Sequence, residues 1–265
     1  MARVLITGCS TGIGRATAVE MATRGHDVVA TARRPETLDG LDVAARLELD
    51  VDDDASVAAA VAAAGDLDVL VNNAGWEVGG PIERAPLDRV KAMFETNVFG
   101  VARMVQAVAP GMRARGAGTI VNVSSMAGKV AAPLNGFYAA SKFAVEALSE
   151  SLHYELGHFG VRVVIIEPGN IETAFGDNVQ RFGEDTAPYD DLRREWDTAA
   201  EVLAGGDEVP GPELVATAIA DAVEADAPPL RIPVGADAEM VAAVRAASDD
   251  ATFEATMRET LGLAW

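Results

Sequence analysis

The feature that most constrains this chain is a strand-sized apolar run at 3–7 leading straight into Thr7-Gly8-Cys9-Ser10-Thr11-Gly12-Ile13-Gly14, after which residues 15–24 recur at helical period. Strand, glycine loop and helix in that order leave few folds open. Glycines at 8, 12 and 14 let the backbone turn sharply, approach a diphosphate and bring the helix close to the strand. The helix start adds free N–H groups and the positive end of its dipole. The spacing is Gly-x3-Gly-x-Gly and not the commoner G-x-G-x-x-G. At the head of a strand–helix–strand pattern, it predicts a nucleotide site and not an ordinary tight turn.

The alternation continues along the chain. Further strands are predicted at 27–32, 47–51, 67–71, 119–123, 161–166 and 230–234. Helices are predicted at about 54–64, 87–115, 137–158 and 212–225, followed by an amphipathic tail. Strands that read as continuous apolar runs between helices imply an α/β fold, a parallel sheet covered on both faces, and the absence of any Pro/Gly/Ser-rich linker predicts one domain over 1–265. Ligands bind such sheets at the carboxyl ends of the strands, where Asn73, Ser125, Pro168 and Gly169 fall. The stretch 175–210 breaks the pattern yet places Phe175, Phe182, Tyr189, Trp196 and Leu203 at intervals of seven, about two helical turns. Gly183 and Pro188 forbid one continuous helix there. Short helical pieces with one apolar edge are expected, either a substrate lid or the anchors of a surface excursion.

Composition narrows the partners. A net charge of -20, from 41 acidic against 21 basic residues, argues against nucleic acid and against an anionic membrane. The acidity reads as a solubility feature of an alanine-heavy chain, with adaptation to high salt as the alternative. No apolar run is long enough to span a bilayer, and one cysteine forms no internal disulfide, so a soluble, cytoplasmic protein is expected. His26, His153 and His158 have no metal-ligand spacing, and no metal site is predicted.

Tyr138-Ala139-Ala140-Ser141-Lys142 brings a phenol and an ammonium onto one face of a helix, one turn apart. At about 4 Å and an effective dielectric near 20 their attraction is about 4 kcal/mol, which at its upper limit would carry a tyrosine from about pKa 10 to roughly neutral. Such a tyrosine exchanges protons with a substrate hydroxyl or carbonyl.

Taken together, the glycine loop, Asn72-Asn73-Ala74-Gly75, Asn97, Ser125 thirteen residues before Tyr138, Lys142, and Pro168-Gly169 with Thr173 resemble the single-domain branch of the short-chain dehydrogenase/reductase family over roughly 3–175. Within it, residues 7–10, 30–33 and 97–100 look most like the 17-beta-hydroxysteroid dehydrogenase type and its bacterial relatives. The resemblance implies a single Rossmann-type doubly wound parallel sheet of order 3-2-1-4-5-6-7. It implies Tyr138 as general acid and base, Ser125 on the substrate oxygen with Ser124 as its competitor, Lys142 on the nicotinamide ribose, and Asn97 positioning a water. It implies cofactor contacts from Gly8, Ser10, Thr11, Gly12, Ile13, Gly14, Asp50, Val51, Asn73, Ala74, Gly75, Pro168, Gly169, Ile171 and Thr173. NAD-preferring members carry an acidic residue at the end of the second strand, whereas this chain has Ala32 followed by Arg33 and Arg34, so NADP is favoured, with Arg33 on its 2'-phosphate. Family counterparts of the two long helices pair across a two-fold axis, so a homodimer is expected, or a homotetramer if the tail ending at Trp265 adds an interface.

Trp76, Met126, Phe137 and Phe175 lie within a residue or two of positions that must face the reacting centre, and predict an apolar pocket for a bulky hydrophobic ketone or alcohol. If Phe137 and Met126 instead point into the core, a small pocket for a short ketone results. Two other function classes stay open: a non-catalytic dinucleotide-binding sensor or scaffold, and a sugar-nucleotide epimerase or dehydratase.

Overall fold

The computed structural model describes residues 1–176, 179–203 and 209–263. Seven strands form one parallel sheet: β1 (Arg3–Ile6), β2 (Asp27–Ala32), β3 (Ala45–Glu48), β4 (Val69–Asn72), β6 (Gly118–Val123), β7 (Val161–Pro168) and β9 (Arg231–Val234). Their order is β3-β2-β1-β4-β6-β7-β9, with every pairing parallel. Counting these seven alone, that is the order expected. The two remaining strands, β5 (Val78–Gly79) and β8 (Gln180–Arg181), are two residues each and pair only with one another.

Alternation along the strands decides which helices cover which face, because successive side chains in a strand point to opposite sides. Val4, Ile6, Val28, Ala30, Val69 and Val71 go to one face, where they meet Ala18 and Met21 of α1 (Gly12–Thr23) and Val215 and Ile219 of α7 (Pro212–Glu224). Leu5, Val29, Leu70 and Ile120 go to the other. There they meet Val57 of α2 (Asp54–Ala64), Met104 and Met112 of α4 (Val101–Arg115), and Val145 of α5 (Gly136–Gly157). The doubly wound α/β architecture follows from these two layers.

Three boundaries differ from expectation for local reasons. The third strand ends at Glu48 and not at residue 51, because the Asp50 carboxylate accepts from Asp52 N at 3.1 Å and folds the chain into a turn. Asp53 then caps α2 by accepting from Ser56 N. The first helix starts at Gly12, inside the glycine loop, and not at residue 15. The long segment 87–115 is not one regular helix: α3 (Leu87–Phe94) and α4 are joined by a wider π-type turn over Glu95–Gly100 that contains Asn97.

Within 175–210, residues 177–178 and 204–208 lie outside the described residues, as does Trp265. The rest holds β8 and a single 14-residue helix, α6 (Asp190–Leu203). The seven-residue spacing therefore belongs to three environments. Phe175 and Phe182 pack on an apolar cluster with Val78 and Tyr138, the Arg84 guanidinium lies 5.0 Å over the Tyr189 ring, and Trp196 and Leu203 line a large cavity. Two helices complete the chain, α8 (Ala236–Ala247) and α9 (Asp250–Leu261). Among the described residues, no helix is long and apolar enough to cross a membrane.

Candidate active site

A cavity of about 1390 Å³ runs along the carboxyl ends of β1, β2, β4, β6 and β7. At its β1 end the loop is locked before any ligand arrives. Thr7 Oγ1 accepts from Asn73 N and Ala74 N at 2.9 and 3.0 Å, and Asn73 Nδ2 donates back to Thr7 O at 2.9 Å. Gly8 holds φ +73, which L side chains rarely adopt, and a Cβ at Gly14 would collide with Asn73 Nδ2 and the Gly8 carbonyl. Among the described residues, Thr11 makes no side-chain cap on α1 and its first turn carries no acidic group. That N-terminus opens onto the cavity as a site for an anion.

Arg33 and Arg34 are exposed at the end of β2, line the cavity, and make no ion pair among the described residues. Ser10, Thr11, Gly12, Ile13, Asp50, Val51, Asn73, Ala74, Gly75, Pro168, Gly169, Ile171 and Thr173 line it with them. An uncapped helix start, a glycine cradle and two free guanidinium groups in one groove fit a phosphorylated dinucleotide. Gly14 is not in the wall; its part is to let α1 pack against Asn73.

Deeper in, Ser125, Tyr138 and Lys142 converge from β6 and α5. Ser125 stands beside the Tyr138 phenol, close enough to oppose the effect of burial on it, and its Oγ accepts from Ala127 N at 3.0 Å. Ser124 Oγ, by contrast, is buried beside Gly128 with no partner among the described residues. Lys142 Nζ donates to Val123 O at 2.9 Å and lies 5.6 Å from the Tyr138 ring centroid. Asn97 stands behind the wall. Its Oδ1 accepts from Trp76 N, and its Nδ2 donates to Trp76 O and Ser141 Oγ, so its side chain holds the turn after Gly75.

The electrostatics differ from the one-turn argument. Burial, with the Glu77 charge second, pushes the Tyr138 phenol above its ordinary value, and the Ser125 hydrogen bond only partly opposes this. Burial also brings Lys142 down to about 8. The spacing did place the cation near the phenol, but desolvation of both groups outweighs an attraction acting across the ring. Burial and the Glu77 charge both favour the neutral, protonated form of Tyr138.

Sequence reasoning missed Glu77. It lines the cavity, accepts from Asn135 Nδ2 at 2.8 Å, and is pushed up to about 7 by burial. Its only sequence signal was its place beside Trp76. Glu77→Gln removes the negative charge that disfavours tyrosinate, so the alkaline rise in the rate of alcohol oxidation is expected to move toward acid, by roughly one pH unit. A pH profile of kcat that does not move overturns this coupling.

Of the four bulky residues chosen from the sequence, Trp76, Met126 and Phe175 line the cavity. Phe175 packs on Tyr138 with ring centroids 5.8 Å apart, and the Arg89 guanidinium lies 5.5 Å over the Trp76 ring. Phe137 is not in the wall and packs instead on the cluster with Val78, Val90 and Met93. Cys9 is buried with its thiol pushed up to about 12, and no group of metal-ligating side chains occurs among the described residues.

A short chain dehydrogenase family model matches residues 2–183. The chain belongs to that family. A Bacteroides thetaiotaomicron protein named 3-ketodihydrosphingosine reductase is 37% identical over 238 residues, covering 88% of this chain and 87% of that protein. Human 17-beta-hydroxysteroid dehydrogenase type 1 is 39% identical over 249 residues, covering 86% of this chain and 76% of the human protein, in line with the subgroup resemblance. A short chain dehydrogenase from Burkholderia cenocepacia, solved in complex with NADP, superposes with a TM-score of 0.79 at 27% identity, covering 97% of each chain. Other solved members of like fold hold NAD or NADH. This short-chain dehydrogenase is therefore an NAD(P)-dependent oxidoreductase.

Proposed function

We propose that this short-chain dehydrogenase interconverts a hydrophobic secondary alcohol and its ketone with NADP, using Tyr138 as the general acid and base. The observation that carries this reading is the convergence of Ser125, Tyr138 and Lys142 in the cavity wall, with the tyrosine ring packed on Phe175 at 5.8 Å. Bound in the groove from Gly8 to Arg33, the cofactor supplies the hydride. The chain's own residues do the rest. Ser125 Oγ donates to the substrate carbonyl oxygen and fixes it beside the phenol. Tyr138 passes its proton to that oxygen as negative charge develops there, and in oxidation takes it back. Lys142 stabilises the tyrosinate and holds the nicotinamide ribose, while Asn97 keeps Trp76 in place. Alignment and charge stabilisation are the protein's share of such chemistry.

Preference for NADP rests on Arg33 and Arg34 and on the lack of an acidic residue at Ala32. A bulky apolar substrate is supported by the walls: Trp76, Met126, Phe175, Trp196 and Leu203 face one space. The names of the two curated relatives, a sphingoid ketone reductase and a steroid dehydrogenase, point the same way. In this reading 1–265 works as one unit in the cytoplasm, with 175–210 as the substrate lid and α6 as its covering element. Oxidation of NADPH across a homologous ketone series tests it: kcat/KM is expected to climb as apolar bulk is added, by up to about 0.8 kcal/mol per buried methylene. Specificity that peaks at acetone-sized ketones overturns the substrate assignment.

A homodimer or homotetramer belongs to the same reading. Phe99, Phe143 and Tyr154, on the π-type turn and α5, are large apolar residues left exposed. Light scattering at micromolar concentration is expected to give at least twice the 27.5 kDa chain mass. A monomer refutes it.

A further inference from the structure

Behind the active site, on the far side of Lys142, lies a group of charges that the reaction above does not use. Glu146 follows Lys142 by one turn of α5, and Glu167 stands near the end of β7; both are buried. Around them are Arg231 from β9, Lys129 from the short turn after β6, and Glu150 one further turn along α5. Arg231 Nε donates to Glu146 Oε2 at 2.9 Å and lies 3.6 Å from Glu167 Oε1, while its Nη2 donates to Glu150 Oε2 at 2.6 Å. Lys129 Nζ is 4.0 Å from Glu167 Oε1.

The same Arg231 nitrogen, Nε, therefore brings the two carboxyl groups together, and each acts on the other. Yet Glu146 Oε1 and Glu167 Oε1 accept no hydrogen bond from any donor among the described residues. Two buried carboxylates cannot both remain ionised and face each other; one shared proton satisfies both oxygens and leaves the pair a single negative charge. Gly128 makes the room, since a Cβ there would come within 3.0 Å of Glu146 Cγ and 2.7 Å of Ser124 Oγ.

We propose that Glu146 is a positioning residue for Lys142: joined to Glu167 by one shared proton, it presents a single negative charge behind the lysine and keeps that buried ammonium protonated. The proposal rests on the reading of Lys142 given above. The charge balance agrees with it. With the shared proton on the pair, Glu146 and Glu150 offset Arg231 and Lys129, and Glu77 is the second charge that favours the ammonium, from the cavity side. Burial is the largest influence on Lys142, bringing it down to about 8, and Glu146 is the foremost charge opposing that fall. Glu167 is itself pushed up to about 7, first by burial and then by Glu146.

The chain has only three lysines, Lys91, Lys129 and Lys142, so carbon-labelled lysine gives Lys142 its own titration curve by NMR, assigned with Lys142→Ala. Glu146→Gln is expected to lower the Lys142 midpoint by about one pH unit, the scale of one neighbouring charge. Glu167→Gln, which leaves residue 146 charged, is expected to lower it by less. An unchanged midpoint in Glu146→Gln, or an equal fall in both variants, overturns the proposal. Should Glu146→Gln fail to fold, Glu167→Gln still decides: the infrared band of protonated carboxyl groups below pH 7, to which Glu77 also contributes, is expected to shrink in that variant, and an undiminished band refutes the shared proton. Because neither readout uses turnover, a failed pairing and a failed assignment of Tyr138 are told apart.

Discussion

Replacing Tyr138 with Phe is expected to cost at least about 100-fold in kcat, the scale of a lost general acid, while leaving the NADP dissociation constant near its original value. The substitution removes one oxygen. The ring keeps its packing on Phe175 and its place over Lys142, so the cavity wall does not change shape. What disappears is the proton that the ketone oxygen must receive, and Ser125 cannot replace it, because a serine hydroxyl left as an alkoxide is far more costly than a tyrosinate. Lys142→Ala is expected to weaken turnover and cofactor binding together, since in the proposed mechanism the ammonium serves both. Single-turnover rates and cofactor titration on the same protein separate the two effects. Retention of more than about a tenth of the rate by Tyr138→Phe removes Tyr138 from the mechanism.

The second large effect is expected at the end of β2. Ala32→Asp combined with Arg33→Leu is expected to shift selectivity from NADP toward NAD by about ten-fold or more, because a charge-assisted hydrogen bond contributes about 1.5–3 kcal/mol and each 1.4 kcal/mol is a decade. The geometry favours a clean exchange. Ala32 lies at the cavity wall, and its carbonyl accepts from Leu49 N, a backbone contact that the substitution does not remove. Arg33 is exposed and makes no ion pair among the described residues, so its loss leaves no buried carboxylate stranded. Comparing the two dissociation constants before and after the double substitution is the measurement. Equal affinity of the unaltered protein for NAD and NADP defeats the premise.

The electrostatics that set the chemistry were less legible than the residues that perform it. From spacing, Tyr138 and Lys142 form a pair whose attraction lowers the phenol. In the folded chain both are buried, and the balance between desolvation and attraction is a property of everything that excludes water around them. Glu77 enters that balance from a different loop, and Glu146 with Glu167 from behind, through contacts between α5, β7 and β9 that no local pattern announces.

What the amino-acid sequence determined by itself was the α/β alternation and the loop of Gly8, Gly12 and Gly14; the sheet order followed from the family resemblance, and the seat of the loop on Asn73 from the structure. The alternation and the loop depend on short-range rules: continuous apolar runs of strand length, period-3.6 helices, and backbone that only glycine adopts. Tertiary structure alone decided which side of a helix a residue serves. Phe137 adjoins Tyr138 in the chain but packs on the apolar cluster of Val90 and Met93 and is not in the cavity wall, while Trp196 and Leu203, remote in sequence, are carried to the cavity by α6. Neighbours along a helix differ by about 100° in direction, so adjacency in the chain says little about adjacency in a site. Only the packing of the helix against the sheet fixes which of its faces meets the ligand.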